Sequence, residues 1–124
     1  VLNKVIPNYV LDTVLVHNHH TLINDELLGL MPKIKAKGMG LVSASPFASG
    51  LLTRQGPPDW YPINNKDLYV INKTLNFCTE NNVPIEKLAI QYAISHPEIP
   101  TTLFSCNERS LLNKNIDWIE EPVA

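Results

Sequence analysis

The chain of 124 residues has little charge imbalance and no long apolar run. Ten lysines and arginines against twelve acidic residues leave a net charge of −2. That balance provides no basic surface of the kind that nucleic acids or anionic membranes attract. No apolar stretch approaches the roughly 20 residues that a membrane-spanning helix needs. We therefore expect neither a nucleic-acid partner nor a membrane partner.

Cysteine is also scarce, since the chain contains only Cys78 and Cys106. Two thiols without a framework of regular spacings indicate a reducing compartment, so we expect a cytoplasmic protein. Cys78 falls within a helical pattern and is interpreted as a small apolar residue of the core. A hydrophobic content of 44% is typical of one globular domain, which we place over residues 1–124.

Three short runs of apolar and β-branched residues predict β-strands at 13–17, 41–44 and 101–104. The segments between them have helical periodicity, which gives the order β-α-β-loop-α-α-β-α. Strands that alternate with helices pair in parallel through crossover connections. The prediction is therefore an α/β fold with a parallel three-stranded sheet in chain order.

The helices carry recognisable start and stop signals. Asn24 is expected to cap the first long helix, Pro32 to kink or divide it, and Gly38 to end it. A later helix has its predicted stripe at Leu68, Ile71, Leu75 and Cys78. The final helix is expected to bury the stripe formed by Leu111, Leu112, Ile116 and Ile119.

Polar residues follow the end of each predicted strand. The segments His17–His20, Ser43–Gly50 and Ser105–Arg109 would lie together, because the carboxyl ends of parallel strands meet at one edge. Small residues and a glycine after the central strand favour a ligand loop, although an ordinary surface turn has the same composition. The connection from Phe47 to Asn65 contains Trp60, which is interpreted either as a lid over the site or as a buried plug.

Three stretches together resemble the aldo-keto reductase family. They are Asp12–His20 (DTVLVHNHH), Ser43–Thr53 (SASPFASGLLT) and Ser105–Asn115 (SCNERSLLNKN). The segment GLLTRQGPPDWYP at Gly50–Pro62 is most similar to the L-galactose dehydrogenase branch of that family. The resemblance implies the C-terminal half of a (β/α)8 TIM barrel, strands six to eight with their helices. A whole barrel needs about 250 residues, so the N-terminal half is expected to be absent.

The resemblance also implies a function and a set of site residues. It implies a portion of an NAD- or NADP-dependent oxidoreductase that acts on a sugar or another carbonyl compound. The family's catalytic tetrad belongs to the absent strands, so no catalytic residue is assigned here. The residues that would contact the cofactor are Ser45, Phe47, Gly50, Ser105, Asn107 and Asn115. Those that would line the substrate pocket are His17, His19 and Trp60.

Two alternatives remain beside this interpretation. The three histidines at 17, 19 and 20 suggest a metal, but on a strand only His17 and His19 share a face, so no metal site is assigned. The chain is alternatively a catalytically inactive half-barrel that acts as a binding or interaction module. Three strands cut from a barrel have two open edges. The missing N-terminal half or a second copy is therefore the expected partner.

Overall fold

Five α-helices and three β-strands alternate along the chain in the computed structural model, which describes residues 1–124. The helices are α1 (Leu2–Val5), α2 (Glu26–Ala36), α3 (Asn65–Glu80), α4 (Ile85–Ile94) and α5 (Arg109–Glu120). The strands are β1 (Thr13–His17), β2 (Gly40–Ala44) and β3 (Thr102–Leu103). A short 3-10 turn covers Ala48–Gly50. None of the helices combines the length and the apolar character that crossing a bilayer requires.

The three strands form one sheet in the order β1-β2-β3, and both pairs are parallel. This confirms the predicted topology. In the first pair Leu15 lies beside Val42, and in the second Ala44 lies beside Leu103. The third strand is shorter than the predicted range 101–104, because its ladder to β2 comprises only two residues.

The face of the sheet that carries Val14 and Val16, here called the outer face, forms part of the larger core cluster. Val14 and Val16 alternate with exposed residues along β1 and are buried on this face. They pack with the apolar stripe of α2, which consists of Leu27, Leu30, Met31 and Ile34. Successive strand residues point to opposite faces, so this helix covers one face of the sheet only.

Helix α2 begins and ends close to the predicted residues. The side-chain oxygen of Asn24 accepts a hydrogen bond from the Glu26 N–H at 2.9 Å, and Gly38 adopts a left-handed φ of 66°. Pro32 does not divide the helix, which continues from Glu26 to Ala36. A proline removes one backbone donor, and the buried stripe on both sides of Pro32 keeps the helix on the core.

The second core cluster lies between the loop after β2 and helices α3 and α4. It includes Leu52, Ile71, Cys78 and Ala89, so the interpretation of Cys78 as a core residue is confirmed. Burial raises the pKa of the Cys78 thiol, and the nearby Glu86 carboxylate adds to that effect. The predicted stripe of α3 is wrong at Leu68, which is exposed.

Helix α5 does not bury its predicted apolar stripe. The four predicted side chains are 37% to 42% exposed, whereas Asn115 and Trp118 are buried. The backbone carbonyl of Trp118 accepts a hydrogen bond from Gln91 Nε2 on α4 at 2.8 Å. This contact turns the face with Asn115 and Trp118 toward α4. Periodicity locates a helix but does not determine which of two overlapping stripes is covered.

The opposite face of the sheet, here called the inner face, carries Leu15, Val42 and Leu103. No helix of these 124 residues covers it as α2 covers the outer face. Leu15 is 53% exposed and Leu103 is 47% exposed. Strands β1 and β3 each have one edge without a neighbouring strand. Unpaired edges and exposed apolar side chains favour association with another chain.

We predict that the chain alone is not a stable monomer at low micromolar concentration and associates through the inner face and the open strand edges. Each large apolar side chain left exposed forfeits about 1.5–3 kcal/mol of burial, against a total domain stability of about 5–15 kcal/mol. Light scattering and a thermal melt measure this directly. Substituting Leu15→Lys should reduce association more than Leu112→Lys on α5. A wild-type monomer with a sharp melt above about 50 °C would contradict the prediction.

Candidate functional site

The carboxyl ends of the three strands meet at one edge of the sheet. His17, Ala44 and Leu103 lie side by side in the register of the sheet. The pairing continues one residue further, since the Asn18 N–H donates to the Ala44 carbonyl at 3.1 Å and the Ser45 N–H donates to the Leu103 carbonyl at 3.0 Å. The polar segments that follow the strands therefore begin within one row of the sheet.

The loop after β2 has an unusual concentration of left-handed backbone. Ser45, Ala48 and Ser49 have φ values of 66°, 49° and 57°, and Asn18 after β1 has φ 60°. These are four of the five non-glycine residues with positive φ in the chain. Such conformations cost about 1 kcal/mol or more each. Contacts elsewhere in the structure must hold them in place, and strained backbone of this kind clusters at functional sites.

Side-chain hydrogen bonds hold this loop. Ser45 Oγ accepts from the Ser49 N–H at 3.1 Å, and Asn18 Nδ2 donates to Ser49 Oγ at 2.7 Å. Further along, the Glu86 carboxylate accepts from the Arg54 N–H at 2.8 Å. Sequence reasoning missed Asn18, Ser49 and Glu86, because their partners are far away in sequence. An asparagine after a strand was the one available signal, since asparagine tolerates left-handed φ.

Gly50 occupies a position where a larger residue would not fit. Its φ is 93°, and an added Cβ would lie 2.9 Å from the Gly56 carbonyl oxygen and 3.1 Å from the Pro57 Cα. Both obstacles are backbone atoms, which cannot move aside as a flexible side chain would. Glycine at this position therefore allows the two arms of the loop to lie against each other.

Two adjoining cavities open at this edge of the sheet. The inner cavity, of about 460 Å³, lies over the strand ends between His17, Ser45 and Phe104. The outer cavity, of about 620 Å³, lies between Arg54, Asn107 and Lys114. Six residues line both cavities, namely Phe47, Ser49, Gly50, Thr53, Gln55 and Ser105. The two cavities thus form one elongated site.

All six residues predicted to contact the cofactor line this site. Ser45 lines the inner cavity, Asn107 and Asn115 line the outer cavity, and Phe47, Gly50 and Ser105 line both. The Phe47 ring packs edge-on against Phe104, with 6.4 Å between ring centroids. Asn115 is only 7% exposed, and its Nδ2 donates to Cys106 Sγ at 3.3 Å. Asn115 therefore supports the wall of the outer cavity more than it projects into the space.

The outer cavity contains two cationic side chains. Arg54 and Lys114 line it together with one acidic residue, Glu86. The Lys114 ammonium lies 5.0 Å from the centre of the Trp118 ring, which holds it by a cation–π contact. Cations near neutral amide and hydroxyl groups suit an elongated ligand with phosphate groups. Together with the close approach at Gly50, these residues fit a dinucleotide cofactor.

The residues predicted to bind substrate are not brought together. His17 lines the inner cavity, but His19 lies beyond the end of β1 and its Nε2 is 3.2 Å from the Glu26 carboxylate. The two histidines therefore do not share a strand face. Trp60 is 78% exposed and lies against Tyr61, so the interpretation of this side chain as a buried plug is wrong. The structure leaves Trp60 outside both cavities.

His20 is the buried member of the histidine cluster and lies outside the site. Only 3% of its surface is exposed, and its ring stacks on Tyr92 with 5.0 Å between centroids. His96 approaches it edge-on at 5.9 Å, and neither ring nitrogen of His20 has a hydrogen-bond partner. Burial and the neighbouring His96 lower the pKa of His20, while Asp25 and the backbone of Tyr92 oppose that shift.

This burial predicts a loss of stability in acid. Unfolded His20 takes up a proton near pH 6.5, whereas the folded protein binds that proton less readily because the His20 pKa is lowered. The free energy of unfolding should therefore decrease as the pH falls below about 6.5. Urea unfolding at pH 7.5 and pH 5.0 measures the difference. The variant His20→Phe should lose less stability in acid than the wild type, and His17→Gln should behave as the wild type. Equal acid sensitivity in all three proteins would contradict this assignment.

Comparison with known proteins gives a consistent family match. The sequence profile of the Aldo/keto reductase family matches residues 4–123. L-galactose dehydrogenase from Arabidopsis thaliana is 36% identical over 121 residues, which are 98% of this chain and 38% of that protein. Pyridoxal 4-dehydrogenase from Microbacterium luteolum is 25% identical over 97 residues, which are 75% of this chain and 28% of that protein.

Solved structures show the same fold. An aldo-keto reductase from Bacillus halodurans in its apo form superimposes with a TM-score of 0.73 at 17% identity. Its holo form gives a TM-score of 0.66 at 18% identity. Each comparison covers 99% of this chain and 42% of the other. The fold is therefore part of an aldo-keto reductase barrel, and the chain spans between 28% and 42% of the length of these relatives.

Proposed function

The chain belongs to the aldo/keto reductase family, and from that membership we propose that it is the cofactor-binding portion of an NAD(P)-dependent oxidoreductase. In this proposal its strands are the last three of the barrel, strands six to eight. The whole protein acts on a sugar or another carbonyl compound, in the manner of L-galactose dehydrogenase. The similarity to that protein over nearly the entire chain supports this choice of substrate class.

One observation carries the proposal. Six residues chosen for their similarity to the family's cofactor contacts line two adjoining cavities at the carboxyl edge of the sheet. These residues come from two segments that are more than 50 positions apart, around Ser45 and around Ser105. In barrels of this type the ligand lies at the carboxyl ends of the strands.

Different residues of the chain would contact different parts of the cofactor. Arg54 and Lys114 would neutralise phosphate charge in the outer cavity, where Asn107 supplies an amide. In the inner cavity Ser45 and Phe47 would orient the ring that reacts, beside His17. NAD(P) itself, when bound, carries the hydride that the reaction exchanges. His17 is the one predicted substrate residue that lines this cavity.

Titration with NADH and NADPH, followed by nucleotide fluorescence, tests the proposal. The wild-type chain should bind at least one of the two nucleotides. The variant Gly50→Ala should bind it more weakly, because the added methyl group would meet the Gly56 carbonyl oxygen and shift the loop. Gly29→Ala is the matched control, since a methyl group added there meets nothing within 4 Å. No nucleotide binding by the wild type, or equal affinity in both variants, would overturn the proposal.

We further predict that this chain alone has no reductase or dehydrogenase turnover. No catalytic acid or base is assigned to its cavities, and hydride transfer to a carbonyl also needs a proton donor for the oxygen. Consumption of NAD(P)H, or reduction of NAD(P) with L-galactose, measures turnover spectrophotometrically. The preparation must be free of any longer aldo-keto reductase. Sustained turnover by the purified chain would refute this prediction.

The exposed inner face of the sheet supports the second candidate function. Leu15 and Leu103 would then form part of a surface that binds another protein chain, without nucleotide chemistry. That partner is either the remaining portion of the barrel or a second copy of this chain. Dimerisation without nucleotide binding would favour this candidate, and nucleotide binding would favour the first.

A further inference from the structure

We propose that Asn18 is a positioning residue that holds the loop of residues 45–56 in the shape that forms the two cavities. The inference deepens the proposed function, because this loop supplies nine of the 23 residues that line the two cavities. Asn18 lines neither cavity. It acts through Ser49, to which its Nδ2 donates a hydrogen bond at 2.7 Å.

The location of Asn18 makes it a rigid attachment point. Its backbone N–H donates to the Ala44 carbonyl at 3.1 Å, which extends the pairing of β1 with β2. The side chain leaves this anchored backbone and reaches across 31 positions of sequence to Ser49. A site held from a strand end is fixed more precisely than one held by a loop.

The loop needs such an attachment because its backbone is strained where Asn18 contacts it. Ala48, Ser49 and Gly50 have φ values of 49°, 57° and 93° in succession. Of these three residues only Gly50 lacks a Cβ, so only Gly50 adopts a positive φ without a steric cost. Strained residues persist where several surrounding contacts fix their conformation.

Two side-chain hydrogen bonds connect the loop to distant parts of the chain. Asn18 holds its first half at Ser49, and Glu86 holds its second half at the Arg54 N–H. Ser49 lines both cavities and Arg54 lines the outer one. Loss of the Asn18 contact should therefore loosen the first half of the loop and change both cavities.

Tryptic cleavage after Arg54 reports opening of this loop without any nucleotide. Asn18→Gly removes the amide and still allows the positive φ, so it isolates the hydrogen bond. Cleavage should become about two- to tenfold faster, as expected for one hydrogen bond. Ser49→Ala should have the same effect, and the double variant should be no faster than either single variant. Asn82→Gly is the control, because it makes the same change at a φ of 54° and removes no side-chain hydrogen bond.

Nucleotide affinity separates positioning from a general effect on stability. In Asn18→Gly the affinity for NADH or NADPH should fall by about two- to tenfold, whereas the control Asn82→Gly should keep the wild-type affinity. A wild-type affinity for the nucleotide in Asn18→Gly, or an equal loss of affinity in Asn82→Gly, would overturn the inference. So would unchanged cleavage in Asn18→Gly, or effects of Asn18→Gly and Ser49→Ala that multiply. If the variants show the expected cleavage pattern but the wild type binds no nucleotide, Asn18 still holds the loop. That result would overturn the proposed function and not the inference about Asn18.

Discussion

The parallel hydrogen-bonded register of the sheet is the constraint on which the site depends. It places His17, Ala44 and Leu103 side by side, so that the segments after all three strands start from one edge. Helix α2 covers the outer face through Val14 and Val16 and fixes which side of the sheet is buried. The loop after β2 starts at this edge and adopts positive φ values at Ser45, Ala48 and Ser49. The Asn18 side chain, at the end of β1, donates a hydrogen bond to Ser49 in this loop.

The two faces of the sheet differ in what they contribute. The outer face and the helices form two core clusters that hold the strands in place. The inner face leaves the large apolar side chains of Leu15 and Leu103 exposed. A closed barrel covers such residues with its remaining strands. The same geometry that places the site at the carboxyl edge therefore leaves the chain with a surface suited to another chain.

Much of the fold was predictable from sequence, because short β-branched runs and capping residues act locally. The strand order, the cap at Asn24 and the end at Gly38 follow from such signals. The buried face of α5 and the role of Gln91 were not predictable, since they depend on which helix packs against which. In the site, the six residues predicted to contact a cofactor were chosen by family resemblance, and they line the two cavities. The contact between Asn18 and Ser49 needed coordinates, because no local pattern links residues 31 positions apart.

Hydrogen–deuterium exchange with and without NAD(P) tests the central claim most directly, namely that the carboxyl edge of this sheet is a nucleotide site. Backbone amides in residues 45–56 and 104–107 should exchange more slowly when the nucleotide is present. Both segments contribute residues to the lining of the two cavities. Protection confined to other regions, such as the groove between Leu28, Met39 and Pro100, would contradict the account. So would an exchange pattern that the nucleotide leaves unchanged.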